Sequence, residues 1–167
     1  MNTINHTILN GSQITQIIKR IAYQIYESNS NEKEIILAGI QGNGMIFDQL
    51  LAKVLKSISP LEIQLCQVLI NKKKPLGTVS TSIDALSYQN KSIVLVDDVL
   101  NSGSTLIYGI KHFLDVPLKQ FKTAVLVNRN HKKYPVKADF KGISLSTSIK
   151  EHVEVEFNGS LSYAKLI

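Results

Sequence analysis

The chain has 167 residues, 44% of them hydrophobic and 19% charged, with a formal net charge of +6. That length suits one sizeable domain and is short for two, the balance is that of a soluble globular protein, and the single cysteine, Cys66, excludes an intrachain disulfide. The longest apolar runs fall far below the roughly 20 residues that cross a bilayer, and Met1-Asn-Thr-Ile-Asn-His6 has neither a basic segment nor an apolar core, so a cytoplasmic protein without membrane contact is expected.

Taken in chain order, Ser12 is the predicted N-cap of a first helix, and Ile14, Ile17, Ile18, Ile21 and Ile25 give it one apolar stripe to about Glu27. Asn29 to Lys33 breaks the pattern. Glu34-Ile-Ile-Leu-Ala38 reads as a buried strand that runs into the turn Gly39-Ile-Gln-Gly42-Asn-Gly44, and Met45, Phe47, Leu50, Leu51, Val54 and Leu55 mark the next helix. After Pro60, the alternation of Leu61, Ile63 and Leu65 predicts a strand to Leu69. Residues 70–90 carry Lys72-Lys-Lys74, Pro75, Gly77 and many Ser and Thr, and are predicted to form a mobile loop.

The strand Ser92 to Val96 then ends in Asp97 and Asp98, and the turn Asn101-Ser-Gly103-Ser-Thr105 opens a helix from about Ser104 to Leu114. Ala124 to Val127 is a further apolar strand. Val153 to Phe157, the turn Asn158-Gly159 and Leu161 to Leu166 predict a terminal hairpin. Short apolar strands alternating with helices imply an α/β fold, a doubly wound and mostly parallel sheet covered on both faces. Ligands of such sheets bind beyond the carboxyl ends of the strands, where Gly39–Gly44, Asp97–Thr105 and Asn128–Lys133 would converge.

The run from Ser92 to Leu106 carries the most chemistry. Backbone N–H groups of a Gly/Ser/Thr turn at a helix start cradle a phosphate, the hydroxyls of Ser102, Ser104 and Thr105 donate to it, and Asp97 and Asp98 accept from sugar hydroxyls. A ribose 5-phosphate satisfies all three demands. A nucleotide-binding P-loop would need a Gly-Lys-Ser/Thr end, which the chain lacks. The Gly39–Gly44 turn fails the Gly-x-Gly-x-x-Gly spacing of a dinucleotide fold and has no acid about 20 residues on. A response-regulator receiver places its acidic pair near its start and needs no Gly-x-Thr loop.

An apolar strand, two acids and a loop ending in Gly-x-Thr closely resemble the 5-phosphoribosyl 1-pyrophosphate (PRPP) signature of type I phosphoribosyltransferases. Further segments follow in order: Ile8-Leu-Asn10 before the first helix, Leu37-Ala-Gly-Ile40 with Gly44, Ala124-Val-Leu-Val-Asn-Arg-Asn-His131, Pro135-Val-Lys-Ala-Asp-Phe140 with Gly142, and Ser146-Thr-Ser148. Together they resemble the pyrimidine-operon attenuator proteins, which combine uracil phosphoribosyltransferase activity with binding to leader RNA. The resemblance runs from about Ile8 to Phe157.

It implies a type I phosphoribosyltransferase fold over 1–167, with 70–90 as a lid and a small hood from the N-terminus and about 135–150. Asp97 and Asp98 would hold the ribose 2- and 3-hydroxyls, with Val99 beside them and Asn101, Ser102, Gly103, Ser104 and Thr105 around the 5-phosphate. Gln41, Gly42, Asn43 and Gly44 stand where the family has its pyrophosphate loop, often strained in its peptide geometry. Phe140 stands where an aromatic ring covers the base, with Arg129, Lys137 and Lys141 in neighbouring base-side positions. The implied cofactor is Mg²⁺, carried by PRPP rather than by a dedicated protein cage. The implied assembly is a homodimer or higher homo-oligomer.

Three departures stand out. The family's pyrophosphate loop usually carries basic residues, and here it reads Gln41-Gly-Asn-Gly44. The strand before the lid lacks the family's Tyr-Arg-Asp-Asp-like element, leaving the Lys72-Lys-Lys74 run to supply cations or to be a solvated loop. The family's Val-Asp-Arg-Gly-His is Val127-Asn-Arg-Asn-His131, which alters charge near the base. His131 is read as structural rather than as a general base.

Two functions follow. The first is an Mg²⁺-dependent transfer of ribose 5-phosphate from PRPP to a nucleobase, uracil before hypoxanthine or another purine, for nucleotide salvage. The second is a regulator that senses PRPP or a nucleotide and binds RNA with weakened catalysis. Arg20 and Arg129 are the only arginines, which argues mildly against base readout in RNA, while a polyanionic substrate also favours a positive field.

Overall fold

The computed structural model describes residues 6–167, so the stretch Met1–Asn5 of the sequence reading lies outside it. Its main sheet has six strands: β2 (Glu34–Ile40), β3 (Glu62–Leu69), β4 (Ser80–Thr81), β5 (Ser92–Leu100), β6 (Gln120–Arg129) and β7 (Phe140–Leu145). Their order is β4-β3-β2-β5-β6-β7, parallel throughout except for the short antiparallel edge β4. The helices are α1 (Gly11–Ser28), α2 (Asn43–Ile58), α3 (Ala85–Tyr88) and α4 (Ser104–Phe113). A second sheet joins β1 (His6–Leu9) to β9 (Tyr163–Leu166) and β8 (Val153–Glu156), all antiparallel. No helix of the described residues is long and apolar enough to cross a membrane.

The strand sequences explain the layers. Successive side chains point to opposite faces, so Ile35, Leu37, Val94 and Val96 pack with α1, α2 and the second sheet, while Ile36, Ala38, Ile93 and Leu95 pack with α4 and Tyr88. Burial on both faces is why these strands are apolar at every position.

α1 begins two residues earlier than expected. Asn10, not Ser12, is the N-cap: its Oδ1 accepts from Gln13 N–H at 2.9 Å and Gln13 Oε1 accepts from Asn10 N–H at 2.9 Å. This reciprocal box satisfies two end donors at once, which Ser12, already inside the first turn, has no geometry to do.

Two further expectations change. Residues 80–90 are not loop: β4 pairs with β3, Asp84 caps α3 through Ser87 N–H, and Tyr88 is buried. Within 70–90, the longest stretch without a regular element is 70–79. The hood region also differs, because Phe140–Leu145 joins the main sheet beside β6, and the second sheet takes its strands from 6–9 and 153–166. The terminal hairpin is present, with a 3₁₀ turn at Gly159–Leu161 between its strands.

Candidate functional site

β5 carries its apolar run through Val96 to the carboxyl edge of the sheet, where the acids stand. Asp97 is 2% exposed; its Oδ1 accepts from Asp98 N–H at 2.9 Å, and Asp98 Oδ1 accepts from Val99 N–H at 2.8 Å. Lys72 Nζ lies 3.1 Å from Asp97 Oδ1 and 3.9 Å from Asp98 Oδ1. Burial, with the Asp98 charge beside it, pushes the Asp97 carboxyl up to about 7, and Lys72 opposes the rise.

Beyond the acids the chain turns at Gly103, whose φ of +84° favours glycine. A Cβ there would also lie 2.4 Å from Val136 Cγ2, so the position is closed by space as well as by conformation. The 133–136 segment backs this turn: the N–H groups of Lys133 and Tyr134 donate to Ser102 O at 2.8 and 3.2 Å. Gly103 is the N-cap of α4 and offers no side chain to its first-turn donors, although Ser102 Oγ accepts from Ser104 N–H at 3.2 Å. An uncapped helix start with adjoining hydroxyls leaves donors that suit an anion.

The two parts share one cleft of about 360 Å³, lined by Asp97 through Leu106 together with Lys72 and Val153. The Gly39–Gly44 turn borders it. Asn43 Nδ2 donates to Asp98 Oδ2 at 3.1 Å and to Val155 O at 2.8 Å, and a Cβ at Gly44 would lie 3.0 Å from Asp97 Oδ1. Gly42 caps α2 with φ +90° and ψ −134°, again without a side-chain hydrogen bond, and the described peptide bonds are all trans. A second uncapped helix start therefore closes on the acid pair.

The base-side residues are arranged differently. None of Arg129, Lys137, Phe140 and Lys141 is among the described residues that line the cleft. Arg129 is 4% exposed and all three of its guanidinium nitrogens meet protein oxygens: Nε and Nη2 donate to Thr147 Oγ1, Nη1 to Asn101 Oδ1, and Nη2 also to Ser148 O and Glu151 O. It ties the 101–105 turn to the 146–151 segment, which His131 Nε2 also meets at Thr147 O. Lys137 is exposed, with Nζ 3.9 Å from Asp139. Lys141 is exposed and its carbonyl accepts from Arg20 Nη1 at 3.1 Å. Phe140 is half-buried and packs, like Val99, on the rim of the core beneath α1.

Lys72, of the run read as a source of cations or as a solvated loop, faces the acids across 25 residues. Three contributors were not legible beforehand: Val136 and Tyr134 brace the 101–105 turn, and Val153 reaches the cleft from the second sheet, and nothing local marked them.

The fold is that of a phosphoribosyltransferase, and the chain belongs to that family: the phosphoribosyl transferase domain profile matches residues 5–158. Among curated relatives it is similar to the Bifunctional protein PyrR of Limosilactobacillus reuteri, 32% identical over 165 residues, covering 90% of this chain and 92% of that protein. The Bifunctional protein PyrR of Geobacter sp. (strain M21) is also 32% identical, covering 92% of each. Among solved structures, a hypoxanthine-guanine phosphoribosyltransferase of Bacillus anthracis superposes with a TM-score of 0.74 at 20% identity, covering 89% of this chain and 86% of that one. The hypoxanthine phosphoribosyltransferase of Trypanosoma cruzi gives 0.73 at 16% identity, covering 88% and 83%. At those identities the two structures speak for the fold alone.

Proposed function

We propose that this protein transfers the 5-phosphoribosyl group of PRPP to a nucleobase, uracil foremost, and releases pyrophosphate. The observation that carries the reading is the joining, in one cleft, of a carboxylate pair and the uncapped start of α4. In this reading Asp97 and Asp98 accept from the ribose hydroxyls, and the N–H groups and hydroxyls of Asn101–Thr105 receive the 5-phosphate. The Gly42 end of α2 faces the diphosphate, and the base lies toward Phe140 and Val99, with Lys137 and Lys141 at its outer side. Arg129 acts through Asn101 and the 146–151 segment, holding the phosphate turn in shape.

The reaction breaks the bond from the anomeric carbon to pyrophosphate while a base nitrogen forms a new one, through a cation-like sugar comparable in charge to that of glycoside hydrolysis. The protein's task is to align the two reactants and keep water out, the second being the role we assign to the 71–79 loop. Mg²⁺ fits the donor set, since the two carboxylates exceed in charge the one lysine that meets them and offer hard oxygens beside those of the substrate. When bound, it neutralises charge on the departing pyrophosphate. The setting is a PRPP-containing compartment, the cytoplasm, and the expected assembly is a homodimer, to be read by sedimentation.

A second reading is a regulator that binds RNA, favoured by the uncharged Gln41-Gly-Asn-Gly44 turn and by the net charge of +6, with the scarcity of arginine weighing against it. Both are tested by pyrophosphate release from PRPP and Mg²⁺ with uracil, hypoxanthine, guanine, adenine and orotate in turn. Release with one base, absent in Asp98→Asn, supports the enzyme. Silence with every base in a protein that binds PRPP, together with RNA affinity that falls steeply with salt, supports the regulator.

A further inference from the structure

On the proposed function the cleft receives anions, yet Lys72 is the single basic side chain among the described residues that line it. It is presented by a built turn. Asn71 Oδ1 accepts from the N–H groups of Lys73 and Lys74 at 3.0 and 3.1 Å, and Asn71 O accepts from Lys74 N–H at 3.1 Å. From there Lys72 Nζ reaches both Asp97 oxygens, at 3.1 and 3.4 Å. The two partners are unequally placed: the Asp97 side chain is 3% exposed and that of Lys72 is 45% exposed. The carboxylate is fixed in the floor, and the ammonium sits at the mouth on a loop without regular structure.

An ammonium on Asp97 and a ribose diol on Asp97 compete for the same acceptor oxygens. On the phosphoribosyltransferase reading, on which this inference rests, sugar entry displaces Lys72 from the acids at the moment a diphosphate arrives beside them. The Gln41-Gly-Asn-Gly44 turn has no charge to meet that anion. We propose that Lys72 is an exchangeable cation: it holds the acid pair when the cleft is empty and transfers to the diphosphate when the substrate binds. A single lysine thereby covers the acids against their mutual repulsion and later supplies the positive charge that the glycine turn omits. Lys73 and Lys74, one and two residues on, make no such contact with the acids.

The test compares two probes that differ only in the diphosphate. Binding of ribose 5-phosphate and of PRPP, each with Mg²⁺, is measured by calorimetry on the parent, Lys72→Met, Lys72→Arg and Lys73→Met. Lys72→Met should weaken PRPP by about ten- to a hundredfold, the scale of one charge-assisted hydrogen bond, while ribose 5-phosphate binds as well or more tightly because its acceptors are vacated. Lys72→Arg should recover part of the PRPP affinity, and Lys73→Met should match the parent. Equal weakening of both probes, or no change in PRPP, would overturn the exchange. A parent that binds neither probe would instead remove the phosphoribosyl reading of the cleft, and the exchange with it.

Discussion

The two ends of the main sheet are built from similar residue types to opposite ends. At the amino edge Lys91 meets Glu34 at 3.2 Å, Lys119 meets Glu32 at 2.8 Å, Gln120 donates to Ser28, and buried Asn29 closes α1 while accepting from Ser92 Oγ at 2.6 Å. Each of these charges and dipoles has a partner of the opposite kind. At the carboxyl edge two acids share one lysine, two helix starts lack side-chain caps, and glycine supplies the turns. Polar groups that are satisfied internally hold a fold, and those left open are available to a ligand.

If that contrast is sound, substitutions at the two edges separate into losses of binding and losses of stability. Asp98→Asn should reduce PRPP turnover by at least about a hundredfold with the melting temperature unchanged, because it removes the charge and leaves the shape; steady-state kinetics and thermal melts decide it. Gly103→Val crosses the divide. It should abolish binding and also destabilise by about 2–3 kcal/mol, since its Cβ meets Val136 at a φ of +84°; denaturant unfolding reads the second effect.

At the amino edge, Asn29→Ala should cost about 1–3 kcal/mol in urea unfolding by orphaning Ile25 O and the Ser92 hydroxyl, with PRPP affinity untouched. A loss of affinity there would break the comparison.

Asp48 sharpens it from inside the core. This α2 carboxyl is fully buried, both oxygens lack partners among the described residues, and burial raises its pKa well above the ordinary range. Like Asp97, it binds its proton more tightly in the folded chain than in the unfolded one. Stability from both groups is therefore complete below about pH 4 and falls as pH rises, for Asp97 through about 7. Asp48→Ala should stabilise the protein by roughly 1 kcal/mol at neutral pH and flatten part of that decline, as measured by melts from pH 4 to 8. The smallest effect belongs to Lys119→Ala, under about 1 kcal/mol, because its ion pair with Glu32 is solvent-exposed.

Much of the site was legible because its parts are contiguous. Strand, acids, glycine turn and helix start occupy 92–105, and each is set by the local chemistry of apolar runs, glycine and N-terminal donors. The alternating elements likewise carried the doubly wound sheet, and the family segments carried the phosphoribosyltransferase fold. The lid boundary was less legible, since Ser80–Thr81 and Ala85–Tyr88 are polar short elements whose order comes from pairing with β3 and from burial of Tyr88. Residues 140–145 fall in the stretch that the resemblance gives to a hood, and nothing in Phe-Lys-Gly-Ile-Ser-Leu declares which sheet it joins; its pairing with β6 does.

What the chain spells out unaided is therefore the identity and order of the strand, acid pair, glycine turn and helix start at 92–105, because a turn, a cap and a strand end are decided within a few residues. Which distant groups meet them is decided by folding: Lys72 on Asp97, Asn43 between Asp98 and Val155, Arg129 on Asn101 and the 146–151 segment, and β1 against β9. These contacts join segments that share no local pattern. Their geometry exists only once both faces of the sheet are packed, because that packing sets where each side chain ends.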